Sequence, residues 1–270
     1  MKRKYKTTLV IGDAHADPNF SNERFTAAGN FILDHRPDNI VEIGDFGNLD
    51  SISFHNKGRP LLKEGMRLKD DLDSMVDAHN KLMTPLRKFN KLRGSWRKKQ
   101  YRPNLLKFLG NHEDRVKRYV AEIPELEGFV PDSDLVGAER DGWEIVPYRE
   151  YRHIGGVAFT HVPMNTGVNK PICGKYICAR AAEQSQTTVV FGHQHSRQIH
   201  SLNRNSPDGK YGQRVDGICV GCYFDYEPEY VRGNEGTLNW WRGLILLTHV
   251  RPGEVDIQTF DIERIKGDYL

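Results

Sequence analysis

Residues 105–114 read LLKFLGNHED: a short, mostly apolar run that breaks off into Gly-Asn-His-Glu-Asp. Such a run has the length of a buried strand, and the glycine with its polar successors marks the loop that ends it. The same design recurs on both sides. Thr7 to Ile11 runs into GDAH at 12–15, and Asn39 to Ile43 into GDFGN at 44–48. Val157 to Thr160 leads to THV at 160–162, and Thr187 to Phe191 to GHQH at 192–195. A helix is expected over Glu23 to Leu33. Short apolar strands alternating with helices predict an α/β layer structure. Loops at one end of a sheet then bring together residues far apart in sequence. Arg214 to Val220, Gly243 to His249 and Val255 to Ile262 also read as strands, placed to complete a second sheet. The expected fold is α/β, a two-sheet β-sandwich flanked by helices. A dinucleotide-binding G-x-G-x-x-G and a phosphate loop G-x-x-x-x-G-K-[ST] are both missing, which argues against a Rossmann fold.

Between the second and third strand motifs lies a long interval, 49–104. Met66 to Lys81 carries apolar residues at broadly helical spacing. Pro85 is expected to interrupt or restart the helix, and Gly94 to break it before a basic stretch. The interval reads as a helical insertion within one domain spanning 1–270; it is too long for a plain loop.

The chain has 270 residues and a mass of 31.0 kDa, with 38% hydrophobic and 28% charged residues. That supports a core without disulfide staples and argues against wholesale disorder. Four cysteines are too few for a disulfide scaffold. No run approaches the length of a membrane-spanning helix, and the N-terminus lacks a signal-peptide core. A cytoplasmic protein with no membrane partner is the default expectation. The formal charge of +3, from 39 basic and 36 acidic residues, leaves the question of a nucleic-acid partner to local charge placement. Nothing in the sequence fixes the oligomeric state.

The loop segments supply Asp13, His15, Asp45, Asn111, His112, His161, His193 and His195. Each has an ordinary explanation alone: a turn cap, a surface pair, a buried hydrogen-bonded imidazole. Together they offer the carboxylate, imidazole and amide groups that hold two divalent first-row ions, with a carboxylate between them as a bridge. Glycine precedes four of the five segments, which suits sharp turns and close backbone approach.

In their order, D-x-H, G-D, G-N-H-[DE], H and G-H-x-H, these segments make the chain resemble the calcineurin-like metallophosphoesterases over residues 12–195. The resemblance implies a metallophosphoesterase fold with the metals at the strand ends. It assigns Asp13, His15, Asp45 and His195 to one ion and Asp45, Asn111, His161 and His193 to the other. His112 would act on the leaving group as a general acid, with Glu113 or Asp114 orienting its ring. The second motif ends in Asn48 where the family has Asp, and Asp50 lies two positions on as a substitute. The G-D-x-x-D-R-G of the Ser/Thr protein phosphatase branch is missing. The implied activity is two-metal-dependent phosphoester hydrolysis, foremost by a phosphodiesterase using a metal-bridging hydroxide. A phosphomonoesterase acting on a nucleotide or another small phosphoester is the alternative, and a non-catalytic phosphate-binding scaffold a third. Mn²⁺ is the first candidate ion, with Fe, Zn²⁺, Ni²⁺ and Co²⁺ also compatible.

Residues 87–102, RKFNKLRGSWRKKQYR, contain eight Lys or Arg and no acid, interleaved with Phe89, Trp96 and Tyr101. Such a stretch suits a nucleic-acid backbone, with Arg97, Lys98 and Lys99 as contacts, and its closeness to GNHED suggests that it reaches the rim of the site. The plainer reading is a solvated helix face anchored by its aromatic residues and paired with the acidic run 69–77. Cys173, Cys178, Cys219 and Cys222 read either as a zinc site or as buried thiols. The late aromatic residues Tyr223, Phe224, Tyr226, Tyr230, Trp240 and Trp241 frame a pocket or pack in the core.

Overall fold

A computed structural model describes residues 5–54, 58, 60–130, 138–205, 212–228 and 239–270; Tyr230 lies outside them. The first apolar run becomes β1 (Thr7–Ile11), buried at every position. On one side it pairs in parallel with β2 (Asn39–Glu42), which pairs in parallel with β3 (Asn104–Phe108), and that with β4 (Glu144–Val146). A second sheet holds β5 (Arg152–Ile154), β6 (Val157–Thr160), β9 (Val189–Phe191), β10 (Arg197–Asn205) and β11 (Gly212–Val220) in the order β10-β11-β9-β6-β5. A small hairpin joins β7 (Met164–Asn165) to β8 (Lys170–Pro171).

The last two strands depart from the sequence reading. β12 (Gly243–Arg251) and β13 (Glu254–Asp261) do not extend the second sheet. They join the first, whose order is β13-β12-β1-β2-β3-β4. β12 lies antiparallel to β1 in the register Leu9↔Leu246. The reason is burial: alternate β12 side chains serve both faces of a covered sheet, so β12 shields the flank of β1 that would otherwise be a bare edge.

Val10, Val41, Phe108 and Leu247 of the first sheet pack with Phe159, Val190 and Ile218 of the second, forming the layer between them. The outer face of the first sheet is covered by α1 (Glu23–His35), α3 (Leu68–Ser95) and α7 (Ile262–Tyr269), through Phe25, Phe31, Met75, Leu82 and Ile265. The second sheet is covered by α6 (Ile177–Gln184). The molecule is a mixed α/β structure with two packed sheets and helices outside.

Within the insertion, α2 (Pro60–Lys63) precedes α3, which runs for 28 residues straight through Pro85. A break at Pro85 does not occur. Proline removes one helical hydrogen bond, but its ring lies against Gly29 of α1, where a β-carbon would collide with it. Tight α1–α3 packing holds the helix through the defect. No described helix is long and apolar enough to cross a membrane.

Candidate metal centre

In the parallel part of each sheet the strands point the same way, so their following loops gather at one end. Asp13 and His15 follow β1, Asp45 follows β2, Asn111 and His112 follow β3, His161 follows β6, and His193 and His195 follow β9. These loops draw close because their glycines have no side chain. A methyl on Gly110 would overlap the Asp45 carboxylate, and one on Gly192 the Asp13 carboxylate. His15, Asp45, His193 and His195 all adopt positive φ, from 44° to 72°. Four non-glycine residues in that costly region, within one loop cluster, mark a site whose geometry the surrounding fold imposes.

Three overlapping triads result, each able to hold a metal ion: Asp13–His15–His195, His15–Asp45–His112 and Asp45–His161–His193. His195 Nε2 lies 3.2 Å from Asp13 Oδ2 and 3.2 Å from His15 Nε2. His161 Nε2 is 3.4 Å from Asp45 Oδ2 and 3.1 Å from Asn111 Oδ1. His193 Nδ1 is 2.8 Å from the same amide oxygen. Backbone N–H groups fix both carboxylates: His193 donates to Asp13, and His112 to Asp45 Oδ1 at 2.8 Å. Asp13, Asp45 and His161 are sealed from solvent, whereas Asn111 and His193 are half-buried and form the open side.

The charge balance suits a cation. Burial alone would push the Asp45 carboxyl up, but His112 and His161 hold it well below the usual carboxylate range. Asp13 is likewise lowered against its burial, chiefly by His195. Burial would lower His161, yet Asp45 raises it to about 10. The His161 ring thus lies where two acceptors, Asp45 Oδ2 and Asn111 Oδ1, converge and favour a positive charge. His15 and His193 are driven down, first by burial and then by neighbouring imidazoles, as suits neutral nitrogen ligands.

His112 has both ring nitrogens engaged. Nδ1 donates to Asn48 O at 2.6 Å, and Nε2 accepts from Arg115 Nη2 at 3.0 Å. Burial, reinforced by Arg115, lowers its pKa to about 3 despite Asp45. The carboxylate of Glu113 does not orient this ring; it accepts backbone N–H groups from Asp45, Gly47 and Gly110. Asp114 turns outward to Arg118, 3.0 Å away on the same helix, α4 (Asp114–Glu122). Asn48 does border the ligands. Its Oδ1 is 3.3 Å from His15 Nδ1, while its Nδ2 donates to Asp17 at 2.6 Å and to Asp50 at 2.9 Å.

Two groups escaped the sequence reading. Arg115 lies one helical turn beyond His112, and that i,i+3 spacing was the available signal. Arg24 carries no motif. Its buried guanidinium holds the carbonyls of Ala14 and His15 from below, with that of Tyr223. The late aromatic residues divide: Phe224 and Trp240 lie edge-on to His195, and Phe224 also to His15. Tyr223 and Tyr226 pack underneath, with hydroxyls donating to Arg24 O and His15 O.

The basic segment is elsewhere. Tyr101 donates to Pro37 O and Asn104 N–H to Asp38 O, tying it to the starts of β2 and β3. At about 3.3 Å per residue, the length of β3 puts it roughly 15 Å from the loops that follow. It does not reach the rim of the site. Arg97, Lys98 and Lys99 are exposed there, and Phe89 lies between the guanidinium groups of Arg36 and Arg93. The acidic run pairs locally instead, Asp73 with Lys69 and Asp77 with Lys81. A cleft of about 1020 Å³ does adjoin Asn48, and its walls include Asp17, Asp50, Asp70, Asp73 and Asp77.

Among the described residues no three cysteines come together, although Cys178 and Cys219 share one packed cluster. Cys178, Cys219 and Cys222 are buried, with sulfurs directed at the carbonyls of Gln198, Gly192 and Trp241, and Cys173 is exposed. Burial pushes the Cys178 thiol up to about 12. The buried-thiol reading fits this placement.

No family model matches the chain. Two phage proteins are similar to it along nearly their whole length. The gene 54 protein of Mycobacterium phage L5 is 26% identical over 274 residues, covering 93% of this chain and 94% of its own. The gene 54 protein of Mycobacterium phage D29 is 25% identical over 270 residues, with the same coverage. A solved structure aligns with 95% of this chain and 100% of its own at 10% identity and a TM-score of 0.37.

Proposed function

We propose that the chain is a two-metal phosphoester hydrolase of the calcineurin-like metallophosphoesterase type. The observation that supports it most is that Asp45 belongs to two triads at one set of strand ends, with His15 and His112 in one and His161 and the half-buried His193 in the other. Asp13, His15, Asp45 and His195 would hold one ion, and Asp45, Asn111, His161 and His193 the other. Two divalent ions so held would supply positive charge to neutralise phosphate oxygens and to lower the pKa of a water, giving a hydroxide nucleophile. The chain's own residues do the rest. Asn111 and His193, on the open side, face the entering phosphoryl group. His112 is pinned by Asn48 and accepts from Arg115, so in this arrangement it has no proton to give a leaving group. The His112–Arg115 pair instead favours the reaction through the guanidinium charge that it brings to the edge of the cluster.

A compact phosphoester suits the surroundings better than a nucleic acid. The basic segment, the one run suited to a nucleic-acid backbone, sits at the other end of the sheet. The test is hydrolysis by metal-reconstituted protein of bis-nitrophenyl phosphate, nitrophenyl phosphate, cyclic nucleotides and single- or double-stranded nucleic acid. Turnover of the small esters is expected, and Asp45→Asn should abolish both turnover and two-metal binding. Asp45→Asn retaining normal turnover and both ions would overturn the proposal. Metal binding without turnover of any ester would leave a phosphate-binding scaffold.

A further inference from the structure

The basic segment that the metal centre leaves aside is a folded feature. α3 buries its last side chain at Leu86, and beyond it Lys88, Lys91 and Leu92 are exposed. The helix ends at Ser95, and Arg97 takes a φ of 52°, in the left-handed region. The chain reverses there and comes back along the helix. Lys98 N–H donates to Arg93 O at 2.8 Å, and Gln100 Nε2 to Asn90 O at 3.0 Å. Asn90 ties the two limbs together: its Nδ2 donates to Tyr101 O and its Oδ1 accepts the Tyr101 N–H, both at 2.8 Å. The result is a two-ply finger whose backbone holds cations side by side.

That charge is not answered within the fold. Arg87, at the base of the finger, pairs with Asp141. None of the other lysines and arginines of 87–102 has a carboxylate partner among the described residues. The acids of α3 stand at its start, Asp70 and Asp71. At 1.5 Å per residue Asp70 lies roughly 35 Å from Arg93, several times the ~8 Å screening length of physiological salt. Phe89 sits 5.2 Å from the guanidinium groups of both Arg36 and Arg93, so the end of α1 adds a cation to the same surface. A cation in the last turn of a helix complements its dipole, which accounts for Arg93. It does not account for Arg97, Lys98 and Lys99, which lie past the helix end.

Two apolar side chains stand among these cations. Leu92 and Trp96, four apart and so on one side of the helix, are 54% and 62% exposed. The Lys98 ammonium is 5.3 Å from the indole ring. Exposed aromatic rings set among cations are what single-stranded nucleic acid takes: the cations follow the phosphates and the ring stacks on a base. A lipid surface fits less well. A helix lying in a membrane needs a broad apolar face, and that of α3 is already buried in the core through Met75, Leu82 and Leu86. In a duplex the bases stack on one another and leave the indole nothing to cover.

We propose that this finger is a binding site for single-stranded nucleic acid, with Lys91, Arg93, Arg97, Lys98 and Lys99 on the backbone phosphates and Trp96 stacked on a base. The site goes beyond the proposed function and lies at the opposite end of the first sheet from the metal centre. Neither reading depends on the other. Binding at the finger would hold the chain on a nucleic acid and leave the metal centre open to a small ester.

The test is fluorescence anisotropy of the full chain with labelled oligo(dT) and oligo(U) of about 20 nucleotides, longer than the site of one small domain, with their integrity checked on a gel. Five phosphate contacts, at about −0.7 each, predict a log–log salt slope of about −3.5. Replacing Arg97, Lys98 and Lys99 together by Gln should flatten that slope by about 2 and weaken binding at low salt by about 10-fold or more. Trp96→Ala should weaken binding by about 5- to 100-fold, the effect of losing one stacked base, and leave the slope unchanged. Trp96→Phe should recover most of the loss. Binding of either oligonucleotide in this pattern upholds the proposal, and the tighter of the two identifies the sugar. No binding of either at low salt overturns it, as does a triple Gln variant that binds like wild type. Trp96→Ala binding at wild-type strength, or a duplex bound as tightly as oligo(dT), also overturns it and leaves a surface for any polyanion. Phosphatidylserine vesicles bound in preference to both oligonucleotides would overturn it in favour of a membrane.

Discussion

At the C-terminal ends of β1, β2 and β3 the chain buries Asp13, Asp45 and Glu113; at the starts of β2 and β3 it leaves Arg97, Lys98 and Lys99 in solvent. Both regions are rich in charge, and both looked functional in sequence. The difference lies in what holds the charges. Near Asp45 each carboxylate has named donors at about 3 Å and a backbone bent to reach it. Arg97, Lys98 and Lys99 are exposed side chains, and exposed charges contribute little to stability. A run of charge in sequence therefore says less than its position relative to the ends of parallel strands.

Gly110→Ala tests the crowded end most severely. The added methyl meets the Asp45 carboxylate, so metal affinity and turnover should collapse by about 100-fold or more, since a displacement of 1 Å can cost that much. Gly267→Ala is the control. No atom lies within 4 Å of its added carbon, on α7, and it should leave metal binding unchanged. Equal metal affinity in the two variants would remove the claim that close backbone approach builds the site.

A smaller effect is expected at His79 of α3, a buried group away from the loops. It pairs with Asp141 at 2.7 Å, and Arg87 Nε donates to the same carboxylate at 2.8 Å. Burial lowers His79 to about 4 even though Asp141 raises it. The unfolded chain then takes up a proton near pH 6.5 that the folded protein refuses until about pH 4. Stability present above pH 6.5 is lost as the pH falls through that window, by about 2 kcal/mol between pH 7.5 and pH 5. Urea unfolding of wild type and His79→Gln at both pH values measures it as the difference in slope. Parallel pH dependence in the two proteins would show that the imidazole is not held neutral.

The smallest effect is expected at the open end. Replacing Arg97, Lys98 and Lys99 together by Gln should leave small-ester turnover within experimental scatter. It should also weaken any retention on a nucleic-acid column that fades with salt. A large fall in small-ester turnover would mean that the two ends communicate.

The loop residues were legible because chemistry repeats: an apolar run, then glycine, then a ligand-type side chain. This holds for Asp13, Asp45, Asn111 and His193, while His161 follows its apolar run through Thr160 instead of glycine. The α/β class and most strands were legible for the same reason. Sheet membership was not, because Gly243 to His249 reads the same whether it flanks β1 or β11; only the bare flank of β1 decides. Pro85 misled because a local rule gave way to packing on Gly29. Asp114 and Glu113 are adjacent and chemically alike, yet one faces Arg118 and the other three backbone amides, a choice made by the helix phase of α4. Lys107 was hidden inside an apolar strand; only the β2–β3 register sets it opposite Glu42.

The placement of β12 against β1 has a consequence for biosynthesis. Asp13 also makes an isolated bridge with Cys222, which bridges in turn with Arg242. The loop that carries Asp13 and His15 thus leans on chain more than 200 residues downstream. The segment with Asp13 and His15 is made long before the chain that braces it, so this loop reaches its final shape only after residues 222–251 have folded against β1.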